Sequence, residues 1–205
     1  MTEQEFTTAL VDAAFALGAQ SGWSRVSPAA AARHAGLDLT MARKLFPCTG
    51  TILKQFGRQA DYFALTGAAQ DGPTRDRMFD ILLRRFDYLQ SRRAGVLALM
   101  RHLPACPPLA VALAEMNIAS MGWLLEGAGV DATGLAGAVK KRGLLAVWLY
   151  GLRAWAEDES ADLTATMAAV DGALARAERL VSRFGRAGPA PAEPEPPLQE
   201  EAPPA

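Results

Sequence analysis

The stretch 27–46, Ser-Pro-Ala-Ala-Ala-Ala-Arg-His-Ala-Gly-Leu-Asp-Leu-Thr-Met-Ala-Arg-Lys-Leu-Phe, constrains the fold more than any other part of the chain. Ser27 can cap a helix with its hydroxyl while Pro28 takes the first helical position, where a missing N–H costs nothing. Gly36 closes that helix, and Asp38 supplies a second N-cap two residues later. The second helix carries Thr40, Met41, Arg43 and Lys44 and ends at Phe46-Pro47, because the residue before a proline disfavours helical backbone. A first helix made largely of alanine can pack closely under the second and leave its outer face free. That is the layout of a helix-turn-helix, whose second helix can enter a DNA major groove.

The charge distribution agrees with this layout. Net charge is only −1, yet residues 24–60 hold six cations (Arg25, Arg33, Arg43, Lys44, Lys54 and Arg58) against one anion, Asp38. Glu193, Glu195, Glu200 and Glu201 near the C-terminus offset them. A basic N-terminal module on a nearly neutral chain suits a partner that carries phosphates. Arg43 and Lys44 are candidates for base edges or phosphates, Arg being suited to a bidentate pair on guanine. A solvated helix face explains the same two residues. Thr40 and Met41, early in that helix, are candidates for base or methyl contacts, and Ser27, Arg33 and Lys54 for phosphates. His34 is read as a surface residue, and His102 receives no role.

Half of the 205 residues are apolar, enough for a sizeable core. The two cysteines, Cys48 and Cys106, are too few and too far apart for a disulfide framework or a metal site. Acids at Glu3 and Glu5 stand where a secretory leader would carry cations. The longest apolar run, 143–155, is interrupted by Arg153 and falls short of the roughly 20 residues of a membrane span. The expectation is a cytoplasmic protein with no membrane span.

No convincing period-two strand is present, and the chain reads as all-α. Thr2 and Glu5 form a capping-box pair, after which Phe6, Leu10, Ala13, Ala14 and Leu17 share one helical face as far as Gly18. Trp23 and Val26, in the link to residue 27, plug a small three-helix head. A fourth helix over 51–66 presents Ile52, Leu53, Phe56 and Phe63 and joins this head to a helical bundle. Thr74 caps an amphipathic helix with Met78, Phe79, Leu82, Leu83, Phe86 and Leu89 on one stripe, opposite Arg75, Asp76, Arg84 and Asp87. A helix over 94–103 follows. The prolines at 104–108 break it, and helices over 109–126, 135–156 and 161–184 complete the bundle, the last capped by Ser160. Three parts result: a DNA-binding head at 1–50, a ligand-binding and dimerising body at 51–184, and a disordered Pro/Glu-rich tail at 185–205.

Within the body Phe79, Leu83, Phe86, Met100, Met116, Met121, Trp123 and Trp148 are the candidate lining of a pocket. Flexible methionines and large rings can adapt to an apolar small molecule or lipid, and each residue taken singly reads equally as core. The last two helices carry Leu144, Leu145, Val147, Trp148, Leu152, Trp155, Met167, Val170, Leu174 and Leu180, more apolar surface than one face toward the body needs. A homodimer through these two helices would bury the excess. No enzyme signature is found. The acids Glu157, Asp158 and Glu159 read as a solvated linker, and nucleophile elbow, metal-ligand spacing and phosphate-cradling glycine loop are all missing from the sequence, so no metal or cofactor is expected.

These residues resemble the head of the TetR-type bacterial transcription regulators. Ser27 sits at the first cap, Ala31-Ala32 at the Ile-Ala pair, Ala35-Gly36 at Ala-Gly and Asp38 at the second cap, and Phe46 and Leu53 also match. The resemblance covers about residues 6–65 by motif and the remainder by helix count and length. Two departures stand out: Arg43 and Lys44 replace the usual tyrosine pair, and Thr49-Gly50 replaces the Lys-Glu that opens the fourth helix. The resemblance implies an all-α fold, double-stranded DNA as partner, a homodimer, and release of a repressor by an effector. Leu-Phe-Pro-x-x-Gly at 45–50, Lys-Arg at 141–142 and Trp-Ala-Glu-Asp-Glu-Ser at 155–160 are similar to a second group, the lipid-binding accessory proteins of ubiquinone biosynthesis. That group shares the fold without acting through DNA, and the sequence leaves both readings open.

Overall fold

The structure, a computed structural model, describes residues 1–185, which fold as nine α-helices with no strand among them. Helix α1 (Glu3–Ser21) starts at the expected capping box, with Thr2 Oγ1 accepting from the Glu5 N–H and the Glu5 carboxylate accepting from the Thr2 N–H. It runs past Gly18, where the sequence pattern ends it. Gly18 serves packing instead, since a Cβ there would stand 2.7 Å from Trp23 Nε1. Helix α2 (Pro28–His34) is capped by Ser27, whose Oγ accepts from Ala30 N–H at 3.1 Å, and α3 (Leu39–Leu45) by Asp38, whose Oδ1 accepts from Met41 N–H at 2.7 Å. Gly36 between them has φ 64°, a left-handed turn that glycine takes without steric cost. Ala31, Ala32, Ala42, Phe46, Trp23 and Val26 are buried together with α1 and form the core of the head.

Helix α4 (Thr49–Leu65) belongs to both halves. Its Ile52, Leu53 and Phe56 are buried, as are Ala60 and Ala64 further along, where it packs on the body helices α5 (Thr74–Gln90) and α7 (Pro107–Gly127). Thr74 proves to be the first residue of α5 rather than a side-chain cap, with Pro73 before it. Helix α6 (Arg93–His102) lies against α1. The proline run does interrupt the chain, but Pro107 and Pro108 then open α7, the positions where proline is tolerated.

Helices α8 (Gly134–Glu157) and α9 (Thr164–Gly185) pack against each other and close the bundle. The expected tail falls, beyond Gly185, outside the described residues. Helix α9 starts four residues past Ser160, whose Oγ still accepts from the helix's first N–H, that of Thr164, at 3.1 Å. Its first turn is held by Asp158, only 5% exposed, whose Oδ2 accepts from both the N–H and the hydroxyl of Thr166 at 2.8 Å. Asp158 is therefore a buried cap and not part of a solvated linker.

Helix α7, and not the run 143–155, is the most membrane-like segment: among the described residues it alone is long and apolar enough to cross a bilayer by length and composition. Its Ser120, Met121, Leu124 and Leu125 are buried, and α4 and α8 pack on it, as in a bundle helix.

Candidate nucleic-acid interface and ligand body

The outer side of α3 is open. Leu39, Thr40, Arg43 and Lys44 are exposed, while Ala42 faces inward and Met41 is half-buried against the head core. Arg43 Nη1 donates to the Pro47 carbonyl at 3.1 Å, which tidies the end of α3 and leaves the other guanidinium donors outward. Among the described residues neither Arg43 nor Lys44 forms an ion pair. Arg33 is exposed in the last turn of α2, and Ser27, half-buried, spends its oxygen on capping.

Lys54 is exposed on α4 and lines an open cleft of about 600 Å³ between α1, α3 and α4, together with Gln4, Thr7, Phe46, Gln55 and Arg58. Arg58, four residues after Lys54 and on the same face of α4, adds a second cation to this cleft beyond the expected contact residues; its i,i+4 spacing from Lys54 is the sequence signal for it.

Head and body meet along α1 and α6. The Trp23 indole N–H donates to the Gly95 carbonyl at 2.9 Å and Arg92 pairs with Asp12, while Gln59 of α4 donates to Thr8 Oγ1 of α1 at 3.4 Å and accepts from the Tyr88 hydroxyl of α5 at 2.9 Å. Phe15 joins the seam, its ring 5.0 Å from Trp23 and 4.1 Å from Phe56.

The candidate pocket residues divide into three groups. Phe86, Met121 and Trp148 are buried, with the Phe86 and Trp148 rings stacked at 4.4 Å. Phe79, Leu83, Met100 and Met116 are half-buried. Trp123 lies on the outer face of α7, 68% exposed, because its position follows the Val111 side of the helix and not the Met121–Leu124 side. Arg85, which the amphipathic reading of α5 passes over, is set among the buried group. Its guanidinium lies 4.4 Å from the Trp148 ring centre and its Nη2 donates to Asn117 Oδ1 at 3.3 Å. Asp61 of α4 stands 3.2 Å from Arg85 Nε and itself accepts from the Ser120 hydroxyl. Burial pulls the Arg85 guanidinium below its ordinary value, and the Asp61 charge raises it again.

The apolar residues expected at a dimer face divide in the same way. Leu144, Val147, Trp148, Trp155, Val170 and Leu174 are buried within this chain. Leu180 is exposed as expected and Leu145, Leu152 and Met167 are half-buried; the other exposed large apolar residues of the last two helices are Leu135, Val139, Leu149 and Tyr150 on α8 and Val181 on α9.

No protein-family profile and no curated protein sequence matches the chain. Solved structures do. A TetR transcriptional regulator from Nitrosomonas europaea superposes with a TM-score of 0.66 at 19% identity, over 85% of this chain and 99% of its own. A TetR-family regulator from Syntrophomonas wolfei gives 0.58 at 11% identity, over 88% and 97%, and one from Streptomyces coelicolor gives 0.57 at 19%, over 91% and 87%. At these identities the likeness is one of architecture, and the chain is built on the all-α fold of the TetR-type transcription regulators.

Proposed function

We propose that this protein is a DNA-binding transcriptional regulator that works as a homodimer in the cytoplasm and is not an enzyme. The observation that carries the reading is the open face of α3, where Thr40, Arg43 and Lys44 are exposed beyond a tightly capped helix-turn-helix and neither cation is ion-paired among the described residues. Ser27, Arg33 and Lys54 flank that face, and Met41 offers its outer edge to the same groove. The apolar body takes a ligand among Phe79, Leu83, Phe86, Met100, Met116, Met121 and Trp148. Because α4 packs on both halves, a ligand that favours one placement of α4 changes the spacing of the two heads and releases the DNA.

Mobility shift of duplex DNA taken from beside the protein's own gene tests the reading. The wild-type chain shifts that DNA with steep salt dependence, and Arg43→Ala with Lys44→Ala abolishes the shift while leaving the helical circular dichroism unchanged. A wild-type protein that ignores the DNA but carries an extractable lipid through purification overturns it.

A further inference from the structure

The buried guanidinium of Arg85 is under-used. Only 4% of this residue is exposed, yet Nε and Nη1 make no hydrogen bond among the described residues. Asp61 neutralises the charge from 3.2 Å without accepting a hydrogen bond from Nε. Unmade hydrogen bonds on a buried cation are costly, and a carboxylate can accept them as charge-assisted bonds, in a fork only where Nη2 turns its second N–H to the same oxygens as Nε or Nη1. Asp61 is held on the other side by Ser120, and its side chain is 14% exposed, so it has a route to water.

From this geometry we infer that the body's ligand is an apolar molecule with a carboxylate head, and that the head binds Arg85 in exchange for Asp61. The inference rests on the ligand-receiving body proposed above and names its ligand class. The apolar remainder of the molecule has to part the buried Phe86 and Trp148 rings, which stack at 4.4 Å beside Arg85. A neutral oxygen acceptor would satisfy the free N–H groups but leave the Arg85–Asp61 pair intact. An anion replaces Asp61 outright and so undoes the ion pair that, among the described residues, joins α4 to the body core, Asp61 belonging to α4 and Arg85 to α5. The exchange therefore acts on the helix that carries the head.

The test is calorimetric titration of the full chain with decanoate, hexadecanoate and benzoate, each against its alcohol. At least one acid binds about tenfold or more tightly than its alcohol; the exchange trades one charge pair for another, so the margin comes from the charge-assisted hydrogen bonds that Nε and Nη1 do not make with Asp61. Asp61→Asn removes the competitor and tightens the acid by a further factor of about ten while leaving the alcohol unchanged. Ser120→Ala, which frees Asp61 without removing a charge and cannot strand Arg85, tightens the acid in the same direction and covers the case in which Asp61→Asn fails to fold. Alcohols that bind as tightly as acids, no binding by any acid, or acid affinity unchanged in both variants overturns the inference. DNA binding is scored separately without acid. Acid bound by a protein that shifts no DNA sinks the regulator reading and leaves Arg85 as an acid site; DNA shifted by a protein that takes no acid does the reverse.

Discussion

The indole N–H of Trp23 and the carbonyl of Gly95 are 72 residues apart in sequence and meet in a buried hydrogen bond of 2.9 Å that ties the head to α6. Gly95 is needed as glycine, since a Cβ there would lie 2.5 Å from the Phe15 carbonyl oxygen. Trp23→Phe removes this second bond to a carbonyl that α6 also uses, together with indole packing on Gly18 and Phe15, and lowers unfolding stability by about 1–3 kcal/mol. Gly95→Ala pushes α1 and α6 apart and costs a comparable amount or more, about 1–3 kcal/mol. Urea denaturation measures both, and a Trp23→Phe protein as stable as the wild type contradicts the joint.

Phosphate contacts and base contacts respond differently to salt. If Lys54 seats a phosphate, Lys54→Ala weakens specific and non-specific duplexes alike and reduces the slope of log affinity against log salt by about 0.9. Arg58→Ala, in the same cleft, does the same. Binding isotherms from low to moderate salt give the slopes. An unchanged slope in both variants removes this cleft from the DNA interface.

The head was legible because its signals are local. Ser27 and Asp38 each cap a turn three residues away, and Gly36 makes its left-handed turn between them, so the residues that decide the structure lie beside one another in sequence. The body was less so. Helices α7 and α8 are apolar on most sides, and no periodicity tells which of Trp123 and Trp148 faces inward; only the placement of α4, α5 and α9 decides that. Arg85 does fall on the stripe with Met78, Leu82 and Leu89, but its charge argues for the surface until Asp61, Asn117 and Trp148 arrive from three other helices. Asp158 was hidden in the same way, reading as one acid among three until its partner Thr166 is folded back onto it.

The exposed apolar residues of α8 form one stripe, Leu135, Val139, Leu149 and Tyr150 recurring at helical spacing along the solvent face. Leu149 is 52% exposed, so a charge there disturbs little within the chain. Leu149→Glu is expected to keep the unfolding stability of one chain within about 0.5 kcal/mol. In a homodimer through α8 and α9 it buries a repulsive carboxylate twice over, and the protein sediments at the 21.8 kDa of a single chain. DNA affinity falls with it, because two heads no longer bind as one unit. A Leu149→Glu protein that sediments as the wild type does places the dimer seam elsewhere.

Asp158 makes the fold sensitive to acid in a defined window. The Ser160 hydroxyl, the Thr166 N–H, the Thr166 hydroxyl and the Ser160 N–H all donate to its carboxylate and hold it well below the usual carboxylate range. A carboxylate whose folded value lies below its unfolded value, about 3.9, contributes its full stability above that pH and loses it as pH falls toward the folded value. Asp158→Asn cannot accept at both oxygens and carries no charge to titrate, so it is less stable than the wild type near neutrality. The difference in Tm between the two proteins, which cancels every other titrating group, is expected to stay constant above about pH 5 and to narrow below about pH 4. Scanning calorimetry at intervals from neutrality downward reads it. A gap that holds steady or widens in acid would mean that the Asp158 carboxylate does not hold the start of α9 in its charged form.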